Sequence, residues 1–405
     1  MKLIHFADLH IGMENYGSID PQTGLSSRLA EFLKSLDELV KYAQNQKVDA
    51  VLFSGDAYKT RDPEPTYQRE FAKRIKKISS FGIPVALLVG NHDTPNALGK
   101  ANTLDIFSAL RVKNVKVIRK IETIIIETTS GPLQIIGLPW LTKSDFLKKD
   151  DISQKTVSES DQIFINKIQK TLKKVIQNID SKIPTILMTH ASIENSVYSS
   201  ERGVILGSDI VIPKKIFQQP KINYVALGHI HKYQNLNSGQ NPPIVYSGSL
   251  QKIDFGEEKE KKGFVEINIL NQKTNFRFIE IPSTKFLTIK IKIESSPNPT
   301  EYIINQLKKY DFKDAIVRLQ ITGDDEILKQ IYESEIKKNL TKAKYLASIS
   351  KEGDLAQTQN KIIYSNNLAT PLEMLSEYLE KKNISKSHIN ELKEYAKDLI
   401  SEIEQ

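Results

Sequence analysis

The sequence predicts an α/β protein built on a parallel sheet, followed by a small α+β unit and a helix-loop-helix tail. Three observations carry this. Unbroken apolar runs such as Pro84-Val85-Ala86-Leu87-Leu88-Val89 read as strands buried on both faces. Between such runs, apolar residues recur at helical spacing, as in Leu29, Phe32, Leu33, Leu36, Leu39 and Val40. The runs end in residues of ligand type: Asp8 and His10, Asp56, then Asn91, His92 and Asp93, then His190, then His229 and His231. A β-α-β-α-β series implies a parallel sheet, and open α/β sheets carry their sites at the carboxyl edge of the strands. All five exits are therefore expected at one edge of one sheet.

Taken in order, Lys2 to Ala7 is the first strand, and Asp8 and His10 follow with the period-two spacing that turns both to one side. A helix through Leu29 to Val40 crosses to a strand over 49–53, which ends in Ser54-Gly55-Asp56; glycine there permits a sharp turn. A helix over about 66–80 leads to the run at Pro84. Short strands are expected over 115–118, 123–128 and 133–136, a helix over 163–179, and buried strands over 185–188 and 223–227. Hairpin-like strands follow around Ile244 to Tyr246, 264–269 and 276–281. The polar stretch from Asn195 to Ser208 reads as a long lid-like loop.

Beyond Pro282 the character changes. Strictly alternating strands over 286–294 and 315–321, helices over 298–310 and 325–340 and a last strand over 345–350 make a small unit with no histidine, expected to shape a substrate rather than transform it. Residues 352–369 read as a linker. Thr370-Pro371-Leu372-Glu373 carries a capping box and proline at the first helical position. Leu372, Leu375 and Leu379 form one apolar stripe and Ile389, Leu392, Ala396, Leu399 and Ile403 another. Two short helices cannot bury such stripes alone, so residues 370–405 are expected to dock on a partner, with docking on the chain's own body as the alternative. The expected domains are thus 1–282, 283–351 and 370–405.

The 405 residues exceed one ordinary domain. A net charge of +8 favours a polyanionic partner. The absence of cysteine excludes disulfides and leaves nitrogen and oxygen donors for any metal. No apolar run approaches the roughly 20 residues of a membrane span, and the chain opens on a strand rather than a leader, so the expected location is the cytoplasm. No Gly-x4-Gly-Lys-Ser/Thr loop is present, which excludes ATP binding by that route.

Taken singly, each histidine fits a packed or solvated role. Together, five of the seven fall at strand ends, leaving His5 packed inside the first strand and His388 on the tail. Imidazole, carboxylate and amide donors without thiolate suit octahedral Mn or Fe, with Mg or Zn less so. Seven donors are too many for one ion and suit two, roughly 3.5–4 Å apart and sharing a carboxylate, which Asp56 is placed to provide. Such a pair generates a nucleophile from water and stabilises the non-bridging oxygens of a phosphate ester.

The series Asp8-x-His10, Gly55-Asp56, Gly90-Asn91-His92-Asp93, His190, Gly228-His229-x-His231 resembles the calcineurin-like metallophosphoesterase superfamily. Leu98-Gly99, Ser200-Glu201-Arg202, Tyr246-Ser247-Gly248-Ser249, Asp254-Phe255-Gly256-Glu257 and Lys262-Gly263 are similar to the SbcD nuclease subunits of SbcCD complexes, bacterial relatives of the Mre-type double-strand-break nucleases. The resemblance implies a two-sheet sandwich flanked by helices with a small capping domain. It implies one ion held by Asp8, His10, Asp56 and His231 and a second by Asp56, Asn91, His190 and His229. His92, held by Asp93, would stabilise developing charge or protonate the leaving oxygen rather than bind metal. The implied activity is a Mn-dependent DNA nuclease, a 3′–5′ double-strand exonuclease and single-strand or hairpin endonuclease. It would be homodimeric and partnered through residues 370–405 with an SbcC-type coiled-coil ATPase at DNA ends. One position departs: Lys59 stands where many relatives carry His or Asp, and lysine does not relay protons at neutral pH. A phosphodiesterase or phosphatase for small or protein-borne esters is the alternative among enzymes, and a non-cleaving DNA-end tether the alternative outside them.

Overall fold

The computed structural model describes residues 1–95, 100–148, 155–199, 209–353, 375, 379 and 386–403. Leu98-Gly99, Ser200-Glu201-Arg202, Thr370-Pro371-Leu372-Glu373 and nearly all of the linker lie outside the described residues. The chain divides into two compact units: residues 1–288 with 312–317 and 342–347, and residues 289–311, 318–341 and 348–405.

The first unit carries two six-stranded sheets, as the family resemblance implies, where the strand exits taken alone suggest one. One holds β1 (Lys2–Phe6), β2 (Ala50–Phe53), β3 (Val85–Leu88), β4 (Val115–Ile118), β11 (Gly263–Leu270) and β12 (Lys273–Glu280), in the order β12-β11-β1-β2-β3-β4. The other holds β5 (Glu122–Thr128), β6 (Gly131–Leu138), β7 (Thr185–His190), β8 (Tyr224–Gly228), β9 (Gln234–Asn235) and β10 (Ile244–Tyr246), in the order β5-β6-β7-β8-β10-β9. The expected single edge is therefore two neighbouring edges. β1, β2, β3 and β4 run parallel, as do β6, β7, β8 and β10. Ile244–Tyr246 pairs antiparallel with β9, as expected of a hairpin-like strand, and also joins β8 in parallel, while β11 and β12 form a second hairpin whose β11 packs antiparallel on β1.

Strand periodicity explains the layers. Ile4, Phe6, Val51, Phe53, Val85 and Leu87 pack toward α1 (Ser27–Asn45) and α2 (Pro65–Ser80), while Leu3, Leu52, Ala86 and Leu88 face the second sheet. In that sheet Ile186, Met188, Tyr224 and Ala226 join the inter-sheet layer, and Leu187, Val225 and Leu227 face the side of Phe164, Ile168 and Leu172. Both faces of each central strand are covered, which is why those strands read as continuous apolar runs. Two short helices, α3 (Asp105–Ala109) and α4 (Lys143–Phe146), lie in the connections. Helix α5 (Val157–Gln177) starts six residues before the expected Ile163, because Thr156 and Glu159 form a capping box that satisfies its first turn.

Strands β13 (Phe286–Ile293), β14 (Ile316–Gly323) and β15 (Tyr345–Gly353) form a three-stranded sheet. Helix α6 (Pro299–Leu307) begins at the Asn298 cap. The helix expected over 325–340 is two, α7 (Asp325–Lys329) and α8 (Glu333–Asn339), broken where the Tyr332 N–H turns aside to donate to Thr300 Oγ1 at 3.0 Å. Helix α9 (Lys386–Ile403) is the second tail helix; Ile389 is buried, while Leu392 and Tyr395 are exposed. No described helix is long and apolar enough to cross a membrane.

Candidate metal centre

The ends of β1, β2 and β3 in one sheet and of β7 and β8 in the other carry the seven sequence-predicted donors, and the side chains converge. Asp56 stands at the middle. Its Oδ2 lies 3.6 Å from His10 Nε2 and 3.4 Å from His190 Nε2. Asn91 Oδ1 lies 2.8 Å from His190 Nε2 and 3.1 Å from His229 Nδ1. His10 Nε2 and His231 Nε2 face each other at 3.0 Å. Asp8 Oδ1 accepts from the backbone N–H of His229 at 2.9 Å, joining the two sheet edges.

Four of these donors, together with His92, form two triplets among the described residues, His10 with Asp56 and His92, and Asp8 with Asp56 and His190; within each, one nitrogen or oxygen atom per residue lies within 4.8 Å of the others. Asp56 belongs to both, as a bridging carboxylate must. In the second triplet Asp8 stands close to His190, and in the first the His92 ring stands close to His10 and Asp56.

The group fits divalent cations on its own chemistry. Asp8 Oδ2 is buried with no hydrogen-bond partner, a costly state for a carboxylate oxygen unless a cation meets it. Two imidazole nitrogens at 3.0 Å need a proton or a metal between them. Burial pushes the Asp8 carboxyl up to about 7. Burial, reinforced by His231, holds His10 well below the ordinary imidazole value. It also lowers His229. Burial alone would lower His190 too, but the Asp56 carboxylate beside it prevails and raises it to about 9. Burial would likewise raise Asp56, yet its imidazole neighbours, His190 foremost, hold it well below the carboxylate range. His10 and His229 are thus in the neutral form that binds metal, and His190 carries a proton that a metal would displace.

The backbone is strained at this place. Asp8 (φ 53°), His10 (φ 45°), Asp56 (φ 63°) and His229 (φ 103°) all adopt left-handed conformations, which cost non-glycine residues about 1–3 kcal/mol each and which cluster at functional sites. Glycine is required beside them at Gly90, where a Cβ would collide with the Asp56 carboxylate and backbone nitrogen.

A family model, calcineurin-like phosphoesterase, matches residues 1–233 of the chain. The chain belongs to the calcineurin-like phosphoesterase family. As a phosphoesterase of this family it is a metal-dependent phosphodiester hydrolase, and the family's chemistry uses two divalent ions. The SbcD component of the SbcCD nuclease of Staphylococcus saprophyticus is 25% identical over 291 residues, covering 71% of this chain and 71% of that protein. DNA double-strand break repair protein Mre11 of Methanosarcina acetivorans is 22% identical over 391 residues, 95% of this chain but 56% of that protein. Among solved structures, a dimetal phosphatase from Danio rerio aligns over 69% of this chain and 98% of that one at 8% identity, with a TM-score of 0.39.

Each metal-facing imidazole of this phosphoesterase that has a second ring-nitrogen partner uses it as a brace. His190 Nδ1 donates to the Ser54 carbonyl at 2.7 Å, His229 Nε2 lies 2.6 Å from Asp209 Oδ2, and His231 Nδ1 lies 2.8 Å from Glu257 Oε1. Such partners fix ring orientation and raise ligand basicity. Glu257 is fully buried and also takes the Lys262 ammonium at 2.9 Å. Burial would raise its pKa, but Lys262 and His231 hold it well below the carboxylate range.

His92 is held differently from expectation. Its Nδ1 donates to the Lys59 carbonyl at 2.6 Å, while both Asp93 oxygens accept backbone N–H groups, from Asp56 (2.8 Å), Ala57 (3.0 Å) and Gly90 (3.0 Å). Asp93 therefore shapes the turn that presents Asp56 instead of holding the His92 ring. Asp209 escapes sequence reasoning altogether, since it belongs to no strand exit, and Glu257 is visible only as part of a motif. The Lys59 carbonyl is a backbone group, and no side-chain pattern announces it.

Proposed function

We propose that this phosphoesterase is a Mn-dependent DNA nuclease, the SbcD-like member of a complex with an SbcC-type coiled-coil ATPase that processes DNA ends. The observation that carries the reading is the convergence of Asp8, His10, Asp56, Asn91, His190, His229 and His231 around one carboxylate. Asp8, His10, Asp56 and His231 would hold one ion, and Asp56, Asn91, His190 and His229 the other. Two such ions supply activation of water and neutralisation of charge on the phosphodiester. The chain's own residues do the rest. With Nδ1 committed to the Lys59 carbonyl, His92 keeps Nε2 for the substrate, to stabilise developing charge or protonate the leaving sugar oxygen. Asp93 and Gly90 keep Asp56 in place between the donors.

A DNA substrate is supported by the net charge of +8 and by the names of both relatives. Residues 283–351 serve as a DNA-shaping cap, 352–369 as a linker and 370–405 as the ATPase dock, with two nuclease chains paired. Incubation with labelled duplex and Mn tests the reading. The chain degrades it, and His92→Ala loses at least about a hundredfold in rate while metal titration is unchanged. Turnover of nucleotide or phosphopeptide esters without DNA cleavage overturns it in favour of a small-ester phosphodiesterase. Deleting residues from Thr370 onward abolishes co-purification with the ATPase and spares basal cleavage.

A further inference from the structure

A cavity of about 310 Å³ opens beside the metal centre, at the size where ligand pockets begin. Its walls are mostly apolar, with Leu138 and Leu141 from the exit of β6, Phe164 and Ile168 from α5, and Ile212, while Thr142 and Lys143 add polar groups to the lining. Two features are not those of a packing defect. Thr189, on β7 one residue before His190, lines the cavity fully buried, and its Oγ1 has no hydrogen-bond partner. A buried hydroxyl left unmade costs free energy that a ligand edge would recover. Trp140, which also lines the cavity, lies against the metal-site histidines, its ring centre 5.1 Å from that of His229 at an interplanar angle of 34° and 6.1 Å from that of His190. The indole is thus shared between cavity and metal centre.

We propose that this cavity receives an unpaired nucleobase of the nucleotide next to the scissile phosphodiester. The inference rests on the nuclease reading and names its substrate class, a strand with a base free to leave the stack. A flat aromatic body suits an apolar slot with an indole wall, and a polar ring edge suits one hydroxyl. That hydroxyl both donates and accepts, so every base is served and sequence preference is weak.

Trp140 is the chain's one tryptophan, so its fluorescence reports this site alone. Titration with dAMP in magnesium quenches it saturably, and 2-deoxyribose 5-phosphate, which lacks the base, does not. Thr189→Val keeps shape and removes the hydroxyl; dAMP affinity falls about tenfold, with a melting temperature equal to or above that of the parent. An abasic residue beside the scissile bond of an oligonucleotide raises KM about ten- to a hundredfold in the parent and less in Thr189→Val. Equal responses to dAMP and the sugar phosphate, or indifference of KM to the abasic residue, overturn the pocket even if DNA is cut. Base-dependent quenching by a chain that cuts no DNA keeps the pocket and overturns the nuclease reading instead.

Discussion

Glu257 shows how a residue outside the donor set governs it. It takes the His231 Nδ1–H and the buried Lys262 ammonium, with both partners shielded from water. Glu257→Gln is expected to weaken metal affinity about 10- to 100-fold, the usual effect of losing a brace. Isothermal titration with Mn measures this, and unchanged affinity refutes the role. Protons compete with metal for the same atoms. His190 holds its proton up to about 9 and Asp8 up to about 7. Both folded values lie above the unfolded ones, so their stabilisation of the metal-free fold is complete at low pH and is lost as pH rises through about 7 and then about 9. Metal loading must expel these protons, so affinity is expected to climb from about pH 6 to about pH 9, with proton release measurable by calorimetry in buffers of different ionisation enthalpy. The convergence of the seven candidate donors was legible in the sequence because each follows an apolar run. Asp209 follows none, and the bond from His92 to the Lys59 carbonyl depends on backbone placement that side-chain identity does not encode.

At the scale of elements, the turns after β1, β2, β3 and β8 matter more than the strands. The first two turns are tied together by the N–H groups of Asp8 and Leu9, which donate to the carbonyls of Gly55 and Asp56. Gly90→Ala would drive a methyl into the Asp56 carboxylate. The expected result is loss of metal binding together with about 1–3 kcal/mol of stability, the cost of overpacking, read by denaturant unfolding with and without Mn. Unaltered binding would show that the turn yields. Strand identities were legible because burial on both faces gives an unbroken apolar signature. The same burial hid which sheet each strand joins: Leu187 and Leu52 sit in different sheets, yet their sequence surroundings look alike. The break in the helix over 325–340 was hidden too, because the Thr300 hydroxyl that draws off the Tyr332 N–H comes from a distant helix.

Across the first unit, the donors tie the ends of two sheets that otherwise meet through the apolar layer of Leu3, Leu52, Met188 and Ala226. Metal bound only by the folded state stabilises it by about 2.7 kcal/mol at a hundredfold excess over Kd. Chelation is therefore expected to lower the melting temperature by several degrees, reversed by Mn; an unchanged temperature would mean the donors bind nothing. Chain order adds a further consequence. Asp8 to Asn91 are made early, but His190 to His231 follow much later, and the hairpin of β11 and β12 that borders β1 comes last, beyond Glu257. A ribosome must release all of these segments before the metal-binding edge can close, so truncated translation products carry half a site and no power to hydrolyse a phosphodiester.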